Sequence, residues 1–357
     1  MARPKATNYI AQFGHEGQPM HSCYRARVIA LAAVLGFSLS ASSAAQAECN
    51  GKDLFPALKS EAPAAYADIV AAASAMPFRH GKLFRLFQVG AQPSYIFATL
   101  HSSDQRITGF SPRLRAALAE SKIVVLESIE TGAVLRRLIA ESPAAWRRAI
   151  LAGENQRAAQ LLSEADFEQL EDLLARKGLP KSLAQTLKPA ALAFLLDRPD
   201  CESRGRGAPY VDELVAQLAH KNKIEIIGLE SIIEQLDIAD GLPHETERNL
   251  LISLLRQADH GEDAEETAIA RYKEGDIGGL LAWIRSAEPI PGVTGAQIPP
   301  AFLDRVITLR TYRMRDRALP LLKRGGAFIA IGAAHLPGKE GLLRLLEENG
   351  YQVEVAE

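Results

Sequence analysis

The sequence predicts a helix-rich α/β fold: a central mixed, largely parallel sheet covered by helices. Three observations carry that expectation. Four short runs rich in β-branched residues stand out, "SYIFATLH" at 94–101, "KIVVLE" at 122–127, "KIEIIGLE" at 223–230 and "AFIAIGAAH" at 327–335. Amphipathic helical stretches separate them, as strands of a parallel or mixed sheet require. Each run also ends on a residue able to carry a proton or hold a metal: His101, Glu127, Glu230 and His335.

The chain has 357 residues, 47% apolar and 24% charged, which is ordinary globular composition. Its N-terminus is different. "RARVIALAAVLGFSLSASSAAQA" sets Arg25 and Arg27 before an apolar run that ends in the small residues Ala45 and Ala47. This predicts a secretory signal over residues 1–47, cut after Ala47, with Met20 as an alternative start. The alternative, a membrane anchor, meets an apolar run from Val28 to Leu39 that is too short to span. Of the 41 basic and 43 acidic side chains, four and one fall in residues 1–47, leaving 37 against 42 and a formal charge of −5. A nucleic-acid partner is excluded on charge. The remainder, 48–357, reads as a single domain of an exported protein, periplasmic or secreted, with no stable membrane insertion. Its two cysteines, Cys49 and Cys201, form one disulfide or remain two buried thiols.

In chain order, the first strand is followed by a helix with Ser111 as N-cap and Pro112 at its first position, and then by the strand at 122–127. Residues 130–222 form a helical insertion, a candidate lid or wall. Within it, "SEADFEQLEDLLARKGLP" has Ser163 as cap and Gly178 and Pro180 as stops. Helices are expected at 182–196 and 211–222, with "RGRGAP" at 204–209 as a loop. After the strand at 223–230, helices fit 246–259 and 264–274, joined by the polar run "HGEDAEE" at 260–266, a solvated link and helix start, and then 301–323. The last strand leads to the helix "KEGLLRLLEENG" and the strand "YQVEVAE". This ending parallels "YIFATLHSSD", "SPRLRAALAES" and "KIVVLE", a strand, His, loop, helix and strand that suggest an internal duplication.

If the strands are parallel, their four terminal residues gather at the carboxyl edge of the sheet, where open α/β sheets place their sites. Any one of them alone has a structural explanation, as a hydrogen-bonded histidine or a helix-capping glutamate. Four strand ends together point to a site. Arg310 joins them, because Ile307, Arg310 and Met314 share one helix face and a buried guanidinium needs a carboxylate or an anionic substrate oxygen. His80, His220, His244 and His260 lie in polar or turn contexts. "HETER" at 244–248 lacks the second histidine of the helix-borne zinc protease signature.

The blocks "YIFATLHSSD", "KIVVLESIE", "VDELVAQLAHKNKIEIIGLESIIEQL", "YKEGDIGGLLAW", "LRTYRM" and "FIAIGAAHLPGKEGLLRLLEENGYQVE" resemble, in order, those of the TraB/GumN family. That family is related to the Tiki metalloproteases and more remotely to erythromycin esterases and haem-binding ChaN-type lipoproteins. Its two Gly-x-x-His motifs correspond to Gly332–His335 and to 98–101, where Ala98 replaces the glycine; Thr311 replaces the asparagine that follows the family's arginine. The resemblance implies a metal-dependent hydrolase, peptidase or esterase-like, acting on a peptide or small-molecule substrate. It implies His101, His335 and Glu127 as metal ligands, with Glu127 alternatively the base. It also gives Arg310 as oxyanion stabiliser and Glu230 as an orienting or completing carboxylate, so that the catalytic set is Glu127, Glu230 and Arg310. Mn or Co is the metal implied, with Zn or Fe also compatible with imidazole and carboxylate donors. The other function class is a non-catalytic protein that holds haem, iron or a peptide with the same residues.

Overall fold

The structure, a computed structural model, describes residues 50–129, 137, 139–196, 201 and 209–357. The expected signal segment, Cys49 and, within the helical insertion, residues 130–136, 138, 197–200 and 202–208, which include most of the "RGRGAP" loop, lie outside the described residues. Six strands form one sheet: β1 Leu83–Phe87, β2 Ser94–Thr99, β3 Ile123–Leu126, β4 Glu225–Gly228, β5 Ala327–Gly332 and β6 Gln352–Val355. Their order is β4-β3-β5-β2-β1-β6. β3 runs parallel to β4 and β5, and β5 runs parallel to β2. β1 alone is reversed, because it pairs antiparallel with both β2 and β6. The sheet is thus mixed and largely parallel, as predicted.

β1 was not among the expected strands. "LFRLF" is only five residues long, and with β2 it makes a hairpin across residues 88–93, where Gly90 adopts φ 79°. Leu83, Phe84 and Leu86 are buried within it. The hairpin signal was present in the Gly and Pro of "QVGAQP". Strand ends also fall earlier than the apolar runs suggested, at Thr99, Leu126, Gly228 and Gly332. The polar residues at issue therefore sit just past the ladder, where backbone pairing stops and side chains are free to face a ligand.

β5 is the centre of the sheet. Ala327 to Ile331 are fully buried, since helices cover both faces of a strand that already has a partner on each side. Entry into β5 needs two glycines with positive φ, Gly325 at 66° and Gly326 at 72°. A side chain on Gly325 would meet the Gln92 carbonyl at 2.7 Å. The two similar strand–helix–strand units place β2 and β5 side by side, with Thr99 opposite Gly332. Their outer strands lie on opposite sides of that pair, β3 next to β5 and β6 beyond β1.

Helices fill in the rest with some corrections. Val211–Lys221 and Glu164–Arg176 lie where expected. The expected helix at 182–196 breaks at Leu187, which bridges to Leu151, giving Leu183–Thr186 and Pro189–Leu196. The polar run at 260–266 is a helix start, as expected: a single 3-10 turn, Ala258–His260, leads straight into the helix Gly261–Lys273. Glu262 and Asp263 in its first turn accept the backbone N–H groups of Asn50 and Lys52. Residues 301–323 do not form one α-helix but three pieces: Pro300–Leu303, the π-helix Asp304–Leu309 and the α-helix Arg310–Leu322. Leu170, Leu174 and Leu192 of the helical middle pack with Leu251 in a small core of their own.

Phe328 is the largest buried side chain on β5 and lies 6.3 Å, centroid to centroid, from Phe97 on β2. Phe328→Ala is expected to lower stability by about 3–5 kcal/mol, read as a fall in the urea midpoint, whereas Val89→Ser on the fully exposed hairpin loop should leave the midpoint unchanged.

Candidate functional site

Parallel register brings the four strand ends to one edge. Leu126 pairs with Ala330 on β5 and with Gly228 on β4, so the chain continues into Glu127 and Glu230 beside Gly332. Beyond the ladder, the Glu230 N–H donates to the Glu127 carbonyl at 2.7 Å, which holds those two segments together. Glu127, Glu230, Arg310 and His335 are all buried, each 5–7% exposed.

These four residues form one connected network. Arg310 Nη2 donates to Glu127 Oε2 at 2.7 Å, and its Nε donates to Glu230 Oε2 at 2.9 Å. Its Nη1 reaches the Val306 carbonyl at 3.3 Å. The other Glu127 oxygen, Oε1, accepts the Gly332 N–H at 2.6 Å and lies 3.9 Å from His335 Nε2. Glycine at 332 is a steric requirement, since a Cβ there would come within 2.9 Å of Glu127 Oε1. No such demand falls on Ala98, the matching residue of the first motif. It is fully buried in β2, and its carbonyl accepts the Tyr272 hydroxyl.

The charges explain the protonation states. Burial favours the neutral form of Glu127, but Arg310, the two histidines and the Gly332 amide overcome it and hold the carboxyl down at about 2. Burial is the main cause that raises Glu230, with Arg310 opposing it. Its Oε1 is buried and has no hydrogen-bond partner among the described residues. Two carboxylates thus share one guanidinium, and one buried oxygen remains unmatched. Burial also pushes the His335 ring down to about 4, against the pull of Glu127.

His335 sits in the 3-10 turn Ala333–His335. Its Nδ1 is 2.8 Å from Thr311 Oγ1, and the Thr311 hydroxyl donates to the Ile307 carbonyl at 2.8 Å. With that proton committed, Nδ1 must be the donor to Thr311, and Nε2 keeps its lone pair toward Glu127. The π-helical turn before Arg310 places both contacts, a use of π-bulges common at functional sites. Thr311 therefore supplies a polar contact at the position where asparagine was expected.

His101 lies past β2 with its side chain 64% exposed, and it touches none of the four. Its Nδ1 is 3.0 Å from Asp212 Oδ2, while Thr99 Oγ1 donates to Asp212 Oδ1 at 2.8 Å. Asp212 raises His101 to about 9 against the opposing effect of burial, with a smaller upward pull from Glu127 and a smaller downward one from Arg310. Those couplings, with the one between His101 and His335, place the ring in the same electrostatic neighbourhood. Asp212 escaped the sequence reading because an acid in the first turn of a helix, in "YVDEL", has an ordinary dipole explanation. Its one signal was the block shared with the Glu230 strand.

Among the described residues no three His, Cys, Asp or Glu side chains are already closed at metal-ligand spacing. The donor chemistry nevertheless fits a divalent cation. His335 Nε2 and Glu127 Oε1 are two acceptors facing each other at 3.9 Å, a gap that one ion with bonds of roughly 2 Å can bridge. Beside His335 and Thr311 opens a pocket of about 320 Å³, walled by Met76, Leu281, Ile307 and Pro337 and bearing Arg285 and Lys339.

The sign of the pH dependence follows from His335. Its folded value, about 4, lies below the ordinary histidine value near 6.5. Its contribution is thus fully present above pH ~6.5 and lost as pH falls toward ~4. In chelator-treated protein this should remove roughly 3 kcal/mol of unfolding free energy across that window, and His335→Gln should flatten the curve there. Glu127 acts lower, between about 4.5 and 2.

A sequence model described as the TraB/PrgY/gumN family matches residues 83–355. Among curated relatives, the chain is similar to Metalloprotease TIKI2 of Danio rerio, 28% identical over 175 residues that cover 43% of this chain and 34% of that protein. Metalloprotease TIKI2 of Xenopus tropicalis is 26% identical over 176 residues, 43% of this chain and 34% of that one. Metalloprotease TIKI1 of Homo sapiens is 26% identical over 178 residues, 44% of this chain and 35% of that one. The chain spans about a third of the length of these relatives. No solved structure matches. The family match covers the whole sheet and every residue of the charged network, and the chain belongs to the TraB/PrgY/gumN family.

Proposed function

We propose that this protein is an exported, divalent-cation-dependent hydrolase of peptide or related amide bonds. The observation that carries the reading is the meeting of Glu127, Arg310 and His335 at the carboxyl edge of the sheet, with His335 Nε2 turned toward the Glu127 carboxylate at 3.9 Å. Three relatives named as metalloproteases support the reaction class at 26–28% identity.

Glu127 and His335 would hold the cation, with His101 as the third donor. When bound, Mn or Co would supply Lewis acidity, polarising a carbonyl and easing loss of a proton from water. The chain's own residues do the rest. Glu127 has an oxygen on Arg310 and another on the Gly332 amide, so both its oxygens accept and it stays ionised as a ligand, not as the base that was the alternative. Arg310 spends Nε and one Nη2 proton on the two glutamates. A third N–H, on Nη1, reaches the Val306 carbonyl, so two N–H bonds are left for a developing oxyanion. Glu230 serves Arg310, not a histidine. The pocket next to His335, apolar with two cationic side chains, receives part of the substrate.

Export rests on the Arg-led apolar segment at the N-terminus and on Cys201, which is buried and disulfide-bonded. Among the described residues no helix is long and apolar enough to cross a membrane.

Purified protein should cleave members of a peptide library in Mn²⁺ or Co²⁺, followed by mass spectrometry, and lose the activity in EDTA. His335→Ala and Glu127→Gln should each lower kcat/KM by about 100-fold or more. Full turnover in both variants would defeat the reading, and haem absorbance that disappears in His101→Ala or His335→Ala would favour a binding protein instead.

A further inference from the structure

We propose that Asp212 is a positioning residue that locks His101 in the tautomer with its proton on Nδ1, so that Nε2 is presented to the same cleft as Nε2 of His335. The inference rests on the functional reading above for what the cleft does, but its geometry is independent of that reading.

A carboxylate can only accept, so the 3.0 Å contact between Asp212 Oδ2 and His101 Nδ1 fixes the proton on Nδ1. Asp212 is itself held. Its other oxygen accepts the Thr99 hydroxyl at 2.8 Å, and Thr99 is the last residue of β2, two positions before His101. Thr99 is fully buried and lies opposite Gly332 in the ladder, so the brace is anchored in the strand pair that carries both histidines. Asp212 comes from a third element, the helix Val211–Lys221, which packs on β3 and β4.

The same solution appears on the other side of the cleft with different chemistry. There the neutral Thr311 hydroxyl takes the proton of His335 Nδ1, and that hydroxyl is pinned to the Ile307 carbonyl. Both rings are therefore gripped at Nδ1, and Nε2 is the atom each has left to offer when the ring is neutral. The difference is rigidity. His335 is buried, whereas the His101 side chain is 64% exposed and has no other hydrogen bond among the described residues. Without Asp212 an exposed ring rotates freely, and neutral histidine left to itself favours the proton on Nε2, which would block that atom. A partner on the far nitrogen is the usual means of orienting a ligating or proton-transferring histidine.

The test is long-range ¹H–¹⁵N NMR of the His101 ring in chelator-treated protein, recorded at alkaline pH where the ring is neutral. The proton should sit on Nδ1 in the native chain, move largely to Nε2 in Asp212→Ala, and return to Nδ1 in Asp212→Glu. His335 signals unchanged in both variants certify the fold, and Asp212→Leu, which also lacks an acceptor, replaces Asp212→Ala if the latter does not fold. A native ring protonated on Nε2, or a tautomer indifferent to residue 212, overturns the proposal. Mn²⁺ titration by calorimetry separates the two claims: with a bound metal, Asp212→Ala should weaken affinity about tenfold or more. A tautomer switch in a protein that takes up no Mn²⁺ leaves the positioning role standing and removes the metal from the functional reading.

Discussion

A guanidinium held between two carboxylates in a dry interior is the interaction on which the rest of this structure depends. Arg310 begins the long helix after the π-helical turn, Glu127 follows β3, and Glu230 follows β4. Their side chains are 0–9% exposed. Removing three charges from water is costly, and such a group persists only when its geometry is good and its remaining polar atoms are matched. Here the match is nearly complete. The Gly332 amide and Arg310 use both oxygens of Glu127, while Glu230 keeps one oxygen unmatched. The network welds the helix to the carboxyl edge of the sheet and fixes the carboxylate that faces His335. It also leaves one uncompensated negative charge, which a cation at this edge would neutralise.

The two histidines show how one strand-end motif is put to use in two environments. His335 is enclosed, and burial keeps its ring neutral. His101 faces solvent, and an adjacent carboxylate favours its charged form. Both share the orientation at Nδ1, so the contrast lies in how tightly each ring is held and how readily it exchanges protons with water. A fixed ring on one wall and an adjustable one on the other suits a cleft that must admit a ligand before closing on it.

Much of this was legible in the sequence because parallel strands covered on both faces must be written as nearly unbroken apolar runs. A charged or imidazole side chain at the end of such a run is conspicuous, and His101, Glu127, Glu230 and His335 were found that way. Arg310 was legible from its place on an apolar helix face between Ile307 and Met314. What stayed hidden depends on three-dimensional pairing. Asp212 looks like any acid in a first helical turn, and only its meeting with Thr99 and His101 distinguishes it. The π-helical turn at 304–309 changes the register of hydrogen bonds without changing the hydrophobic pattern. β1 is too short to separate itself from its hairpin loop by periodicity. The glycine of the second motif was visible, but its reason, room for a glutamate oxygen, appeared only with the fold.

The central claim is that Glu127, Arg310 and Glu230 act as one hydrogen-bonded ionic unit. The most direct measurement compares unfolding free energies of Arg310→Met alone with those of the triple variant Arg310→Met, Glu127→Gln, Glu230→Gln. If the unit is real, Arg310→Met alone should cost about 3–5 kcal/mol by stranding two buried carboxylates, and the triple variant should recover a large part of that loss. Equal losses in the two proteins, or an Arg310→Met variant as stable as the parent, would contradict it.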